Sequence, residues 1–255
     1  IYYSMKNKSR ASLGKKSGLA FFMKKKYILT GLFGLLVTCG GLFWQYAVYE
    51  GSDPVRKTAT VISNADWADP AEKLVPLTFD DGPHPVYTEE ILDVLDQAGI
   101  KASFFMMGKE AELYPDVVKK VSDAGHLIGN HTYTHANVCQ ISADETTEEI
   151  TKTNDILEGL TGKRPQFFRP PFGCKNETLE KQTGMFWIFW DVDTLDWSLQ
   201  NAEQVYCKVV KNVGENDIIL MHDAYPSTVE AVRELIPALQ EMGYTFVTVD
   251  RLVEP

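Results

Sequence analysis

Leu74-Val75-Pro76-Leu77-Thr78-Phe79-Asp80-Asp81-Gly82-Pro83-His84 is the stretch from which the rest of this chain is read. Residues 74–79 are short, apolar and followed by a Gly-Pro turn signal, which predicts a buried strand. Asp80 and Asp81 then stand at its C-terminal end. Adjacent strand residues point to opposite sides, although a turn can bring both carboxylates round one pocket. Two like charges that close need a cation or a shared proton. A metal that takes one aspartate as ligand and leaves the other as base resolves the conflict. Taken alone, Asp-Asp-Gly-Pro reads equally well as a surface turn. The downstream residues decide between the two.

Strand and helix patterns alternate from there on. Helices are predicted over 86–98, 110–124, 143–160, 202–213 and 228–242. Strands are predicted over 102–107, 126–129, 166–169, 185–192, 217–221 and 244–249. Such alternation implies a parallel sheet with crossover helices. About seven units of this kind fit an α/β fold of the distorted (β/α)7 barrel type better than an open sheet. Each polar cluster falls at the C-terminal end of a predicted strand, and in a barrel those ends share the face on which sites are built.

His131-Thr132-Tyr133-Thr134-His135 follows the third strand. Histidines at i and i+4 would share one face of a helical turn and chelate one metal. The zinc-protease pattern needs a glutamate after the first histidine, and Thr132 stands there. The base must therefore come from elsewhere, and the Asp80-Asp81 pair can supply it. Two imidazoles and one carboxylate suit zinc, with a position left open for water.

Arg169-Pro170-Pro171-Phe172-Gly173 ends the fourth strand. An arginine there can pair with an aspartate and keep it ionised. A backbone N–H of the following turn can face a developing oxyanion. Asp193-Thr194-Leu195-Asp196-Trp197 and Leu220-Met221-His222-Asp223 follow the next two strands. A histidine beside an aspartate has a raised pKa and suits a general acid. Trp197 and Leu220 can supply an apolar wall. Singly, each cluster is more often ordinary packing than function.

In order, T-F-D-D-G-P, H-T-x-x-H, R-P-P-F-G, D-x-x-D-W and L-x-H resemble the polysaccharide deacetylase family, the NodB-homology group or carbohydrate esterase family 4. The resemblance implies that Asp80 is the catalytic base and that Asp81, His131 and His135 bind one divalent metal ion. Zinc is expected, with cobalt or manganese as alternatives. It implies that Arg169 holds and tunes Asp80 and that the Phe172 N–H helps form the oxyanion hole. His222 would be the general acid, tuned by Asp196, and Trp197 and Leu220 would line the acetyl pocket. The fourth-strand motif commonly has tyrosine where this chain has Phe172. The implied reaction is hydrolytic N-deacetylation of N-acetylglucosamine in a cell-surface glycan, with peptidoglycan favoured. A chitooligosaccharide deacetylase or an acetyl xylan esterase is the runner-up. A non-catalytic wall-binding protein on the same fold is the alternative of a different class.

Charge is unevenly spread. The chain carries −10 overall, yet residues 1–26 hold eight basic side chains and no acidic one, so the body is more acidic still. That argues against a nucleic-acid partner. Residues 27–49 carry no charge and are long enough to span a bilayer core of roughly 30 Å as a helix. Lysines precede the run, while Trp44, Tyr46 and Tyr49 crowd its far end. Positive-inside logic then expects a cytoplasmic N-terminus, an uncleaved transmembrane anchor over 27–49, a linker over 50–70 and an extracellular catalytic domain over 71–255. Met5 and Met23 are alternative starts. Cys139 and Cys174 follow adjacent strands on one face, and from position alone they are expected to pair and pin the two site loops.

Overall fold

The computed structural model describes residues 72–253. The basic arm, the expected membrane segment and the linker lie outside the described residues. Among the described residues, no helix is long and apolar enough to cross a membrane.

Strand β1 (Lys73–Asp80) is the hub of one parallel sheet. Its first half pairs with β8 (Tyr244–Val247), its second half with β7 (Ile219–His222), and β2 (Ser103–Met106) runs along its other edge. Beyond β2 come β3 (Leu127–Asn130), β4 (Phe167–Phe168) and β5 (Phe186–Trp187), while β6 (Val192–Asp193) pairs with β7. The strand predicted over 185–192 is thus split: its start joins β4 and its end joins β7. One segment borders both ends of the ladder path, and among the described residues no ladder links β5 to β6. The sheet is a parallel half-barrel, consistent with a distorted (β/α)7 barrel.

The helices are α1 (Tyr87–Gln97), α2 (Gly108–Leu113), α3 (Pro115–Asp123), α4 (Ala143–Thr161), α5 (Glu177–Thr183), α6 (Asp196–Leu199), α7 (Ala202–Asn212) and α8 (Pro226–Glu241). The single helix expected over 110–124 is two helices. Tyr114 breaks it at φ −128, ψ 56, because the ring of Pro115 disfavours the helical region for the residue before it. Helix α4 starts at a capping box between Ser142 and Glu145 and stops at left-handed Gly162.

Alternation along the strands sorts the core from the site. Val75, Leu77 and Phe79 of β1 and Ile219 and Met221 of β7 pack in the main cluster with Leu95, Val209 and Leu235 of the surrounding helices. Thr78, Asp80, Leu220 and His222 therefore point to the opposite side, into the barrel. That face also holds Phe105, Ile188 and Val249.

Candidate active site

Asp80 ends β1 and is almost fully buried. A buried carboxylate needs a partner, and Arg169, just after β4, supplies it: Nη1 donates to Asp80 Oδ1 at 2.7 Å. The same nitrogen donates to Thr78 Oγ1 at 2.7 Å, and Nε and Nη2 donate to the carbonyls of Ile188 and Phe189 at 3.3 and 3.1 Å. Those carbonyls lie in the split between β5 and β6, where no neighbouring strand serves them. The guanidinium also lies over the Phe105 ring, 4.2 Å from its centroid. Burial lowers the Arg169 pKa, and the Asp80 charge opposes that.

Asp81 leaves the strand at φ 73, which turns its carboxylate away from the sheet alternation. The turn needs Gly82, because a Cβ there would run into the Asp223 carboxylate. Asp81 Oδ1 is buried without a hydrogen-bond partner, 3.4 Å from His131 Nε2 and 3.3 Å from His135 Nε2. His131 Nδ1 lies 2.7 Å from the Arg169 carbonyl. A carbonyl only accepts, so Nδ1 carries the proton and the Nε2 lone pair is left for a ligand role. Burial lowers the His135 pKa, reinforced by His131 and opposed by Asp81. Burial works to raise Asp81, but His131 and then the charges of His222 and His135 bring it down to about 2. One atom from each of Asp81, His131 and His135 falls within 4.8 Å of the others. An orphaned carboxylate oxygen beside two imidazole nitrogens fits a divalent cation.

The two histidines do not sit on a helical turn, contrary to the reading of their spacing. Residues 131–135 form a loop, with Thr132 and His135 both at φ 63. Their side chains converge because two left-handed residues fold the chain back, not because of helical periodicity.

His222 is the Cα partner of Asp80 across the β1–β7 ladder. Its Nδ1 lies 2.7 Å from Oδ1 of fully buried Asp196. Asp196 Oδ2 accepts from the His222 N–H at 2.7 Å and from Thr228 Oγ1 at 2.6 Å. Burial works to lower the His222 pKa, but the hydrogen bond and charge of Asp196 raise it to about 9. The partner is Asp196 and not the adjacent Asp223, whose Oδ2 accepts from Thr88 Oγ1.

Phe172 lies in a short 3-10 turn (Pro171–Gly173) at φ 61, with its side chain 67% exposed and its ring against His135. Its N–H takes part in no hydrogen bond among the described residues. Cys139 and Cys174 are disulfide-bonded, which ties the histidine loop to this turn, while Cys207 is free. Leu220 is buried on β7, whereas Trp197, the second residue of α6, has 42% of its surface exposed.

Sequence reading missed Thr78, Asn130, Glu149, Thr228 and Tyr225. The first four orient site residues through hydrogen bonds. Tyr225 has its phenol pushed up by burial and by the charges of Asp81 and Asp196. Several of these partners are far apart in sequence, so no local pattern marks them.

The profile of the polysaccharide deacetylase family matches residues 68–185. The peptidoglycan-N-acetylmuramic acid deacetylase PdaC of Bacillus subtilis is 38% identical over 73% of this chain, which spans only 40% of that relative's length. Its solved structure superposes with a TM-score of 0.70 at 37% identity, covering 72% of this chain and 92% of that one. A peptidoglycan-N-acetylglucosamine deacetylase of Bacillus cereus is 39% identical over 71% of this chain and 68% of its own length. A pseudoenzyme of carbohydrate esterase family 4 from Bacillus anthracis also superposes, with a TM-score of 0.68 at 31% identity, covering 73% of this chain and 67% of that one.

Proposed function

The chain belongs to the polysaccharide deacetylase family, and on that premise we propose that it removes acetyl groups from N-acetylglucosamine residues of peptidoglycan by metal-dependent hydrolysis. The observation that carries this reading is the unpartnered Asp81 oxygen facing two imidazoles, beside a separate carboxylate, Asp80, already held by Arg169.

Asp81, His131 and His135 would hold the ion, and zinc is the one their donor set suits best. Such an ion supplies polarisation of the acetyl carbonyl and activation of water. Asp80, fixed by Arg169, takes a proton from the attacking water. As the water oxygen bonds to the carbonyl carbon, the Phe172 N–H donates to the developing oxyanion. His222, a cation at neutral pH, gives its Nε2 proton to the amine as the C–N bond breaks. Asp196 holds the other ring nitrogen and keeps that proton directed at the site. The products are acetate and a free amino sugar. Trp197 and Leu220 are the apolar residues assigned to the acetyl methyl.

The relatives are named for two different sugars, and N-acetylmuramic acid is the second reading. It differs by a lactyl carboxylate. The membrane segment over 27–49 and an extracellular catalytic domain belong to the same proposal, since an anchored external enzyme meets the wall first.

The test is acetate release from purified peptidoglycan by the full chain, with and without a chelator. Mass spectrometry of the muropeptides then locates the free amine. Chelator-sensitive release with the amine on glucosamine is the expected result. An amine on muramic acid changes the substrate, and no release from protein that carries metal rejects the reading.

A further inference from the structure

The loop that carries His131 and His135 is held from outside the site by one carboxylate. Glu149, in the second turn of α4, accepts through Oε2 from the N–H groups of Tyr133 and Thr134, each at 2.8 Å. Its Oε1 accepts from the Thr134 hydroxyl at 2.9 Å. The same helix fixes the strand end before the loop. Asn130 Nδ2 donates to the Ile150 carbonyl and to Asn154 Oδ1, both at 2.8 Å, while Asn130 Oδ1 accepts from the Thr132 N–H at 2.8 Å. Lys152 lies over the Tyr133 ring, 3.2 Å from its centroid.

The loop needs such holding. Thr132 and His135 both adopt left-handed backbone, which threonine and histidine seldom do. It is this conformation, and not a helix, that brings both Nε2 atoms to Asp81. The backbone donors between the two histidines are fully accounted for: Thr132 by Asn130, Tyr133 and Thr134 by Glu149. Removing the Glu149 carboxylate leaves these two consecutive N–H groups, half-buried at Tyr133 and exposed at Thr134, to water, which satisfies them without fixing the loop.

We propose that Glu149 is a positioning residue for the metal centre. It touches no ligand atom, and by clamping the backbone between the two histidines it sets how tightly Asp81, His131 and His135 hold an ion. The inference rests on the metal reading of that triad.

The test uses the full chain and the variants Glu149→Ala and Glu149→Gln. Each is titrated with zinc against a chromophoric chelator, and each is melted with and without zinc. Glu149→Ala should weaken zinc binding about 10- to 100-fold, the usual range for residues that orient ligands. The rise in melting temperature that zinc gives should shrink, while the zinc-free variant melts close to zinc-free wild type. Glu149→Gln keeps one oxygen acceptor and loses the charge, so it should fall between. A merely structural role would lower the melting temperature equally with and without zinc and leave zinc affinity unchanged, and that result overturns the proposal. If Glu149→Ala fails to fold, Glu149→Gln carries the test, and unchanged affinity there overturns it. Wild-type chain that binds no zinc overturns instead the metal reading beneath it.

Discussion

Asp80 and His222 are register partners on adjacent parallel strands, so their side chains point to the same side of the sheet. Each is then backed by its own buried partner, Arg169 for Asp80 and Asp196 for His222. The proposed base and acid thus sit side by side with separate supports. This arrangement fixes a pH dependence. His222 must be protonated to serve the leaving amine, and its pKa is raised from 6.5 to about 9. The acid is therefore present through neutral pH and is lost as pH rises through about 9. The profile of kcat/KM should show that alkaline limb, and Asp196→Asn, which removes the raising charge, should move it to lower pH. A limb that stays in place in Asp196→Asn would assign it to another group.

Metal binding and proton abstraction should separate by mutation. His131→Ala removes an Nε2 ligand and should lose metal and turnover together. Asp80→Asn leaves Asp81, His131 and His135 intact, so metal analysis should find it loaded. Its kcat should fall about 100- to 10,000-fold, the range for removing a positioned base. A loaded Asp80→Asn enzyme with near-normal kcat would mean the base lies elsewhere.

The strand ending in Asp80 was legible because an apolar run and a Gly-Pro stop carry local information. The convergence of five motifs was legible because alternation implies parallel strands whose C-terminal ends share a face. The conformation of the histidine loop was not. A spacing of four fits a helical turn, and the competing geometry depends on Glu149, which lies beyond the loop and a capped helix start. The break at Tyr114 does have a local signal, Pro115, which disfavours helical backbone in the residue before it. Helix α5 escaped because its seven residues bury only Leu179, too few for a period to appear. The split between β5 and β6 leaves two carbonyls to the Arg169 fork, a tertiary pairing with no local signature.

Arg169 should prove as important to stability as to chemistry. It is completely buried, and its removal strands the Asp80 carboxylate and two strand-gap carbonyls. Breaking one side of a buried pair costs about 3–5 kcal/mol. Arg169→Met should lower the unfolding free energy by that amount, read as a lower urea midpoint at an unchanged slope. Arg169→Lys should recover little, because an ammonium cannot serve a carboxylate, a hydroxyl and two carbonyls as a planar fork does. Full stability in Arg169→Lys would show that charge alone matters there.

The disulfide makes a different demand. Cys139 and Cys174 are 35 residues apart and join the histidine loop to the turn bearing Phe172. Replacing both with serine should destabilise the fold by about 4 kcal/mol on loop-closure entropy. The histidine loop keeps its hold on Asn130 and Glu149, so zinc affinity should change little. The Phe172 turn loses its tie, and kcat should fall by less than the roughly 100-fold expected for deleting an oxyanion donor outright. Measuring zinc affinity and kcat on the same double variant separates these effects. A collapse of zinc affinity would show that the disulfide, and not the hydrogen-bond clamp, holds the ligand loop in place.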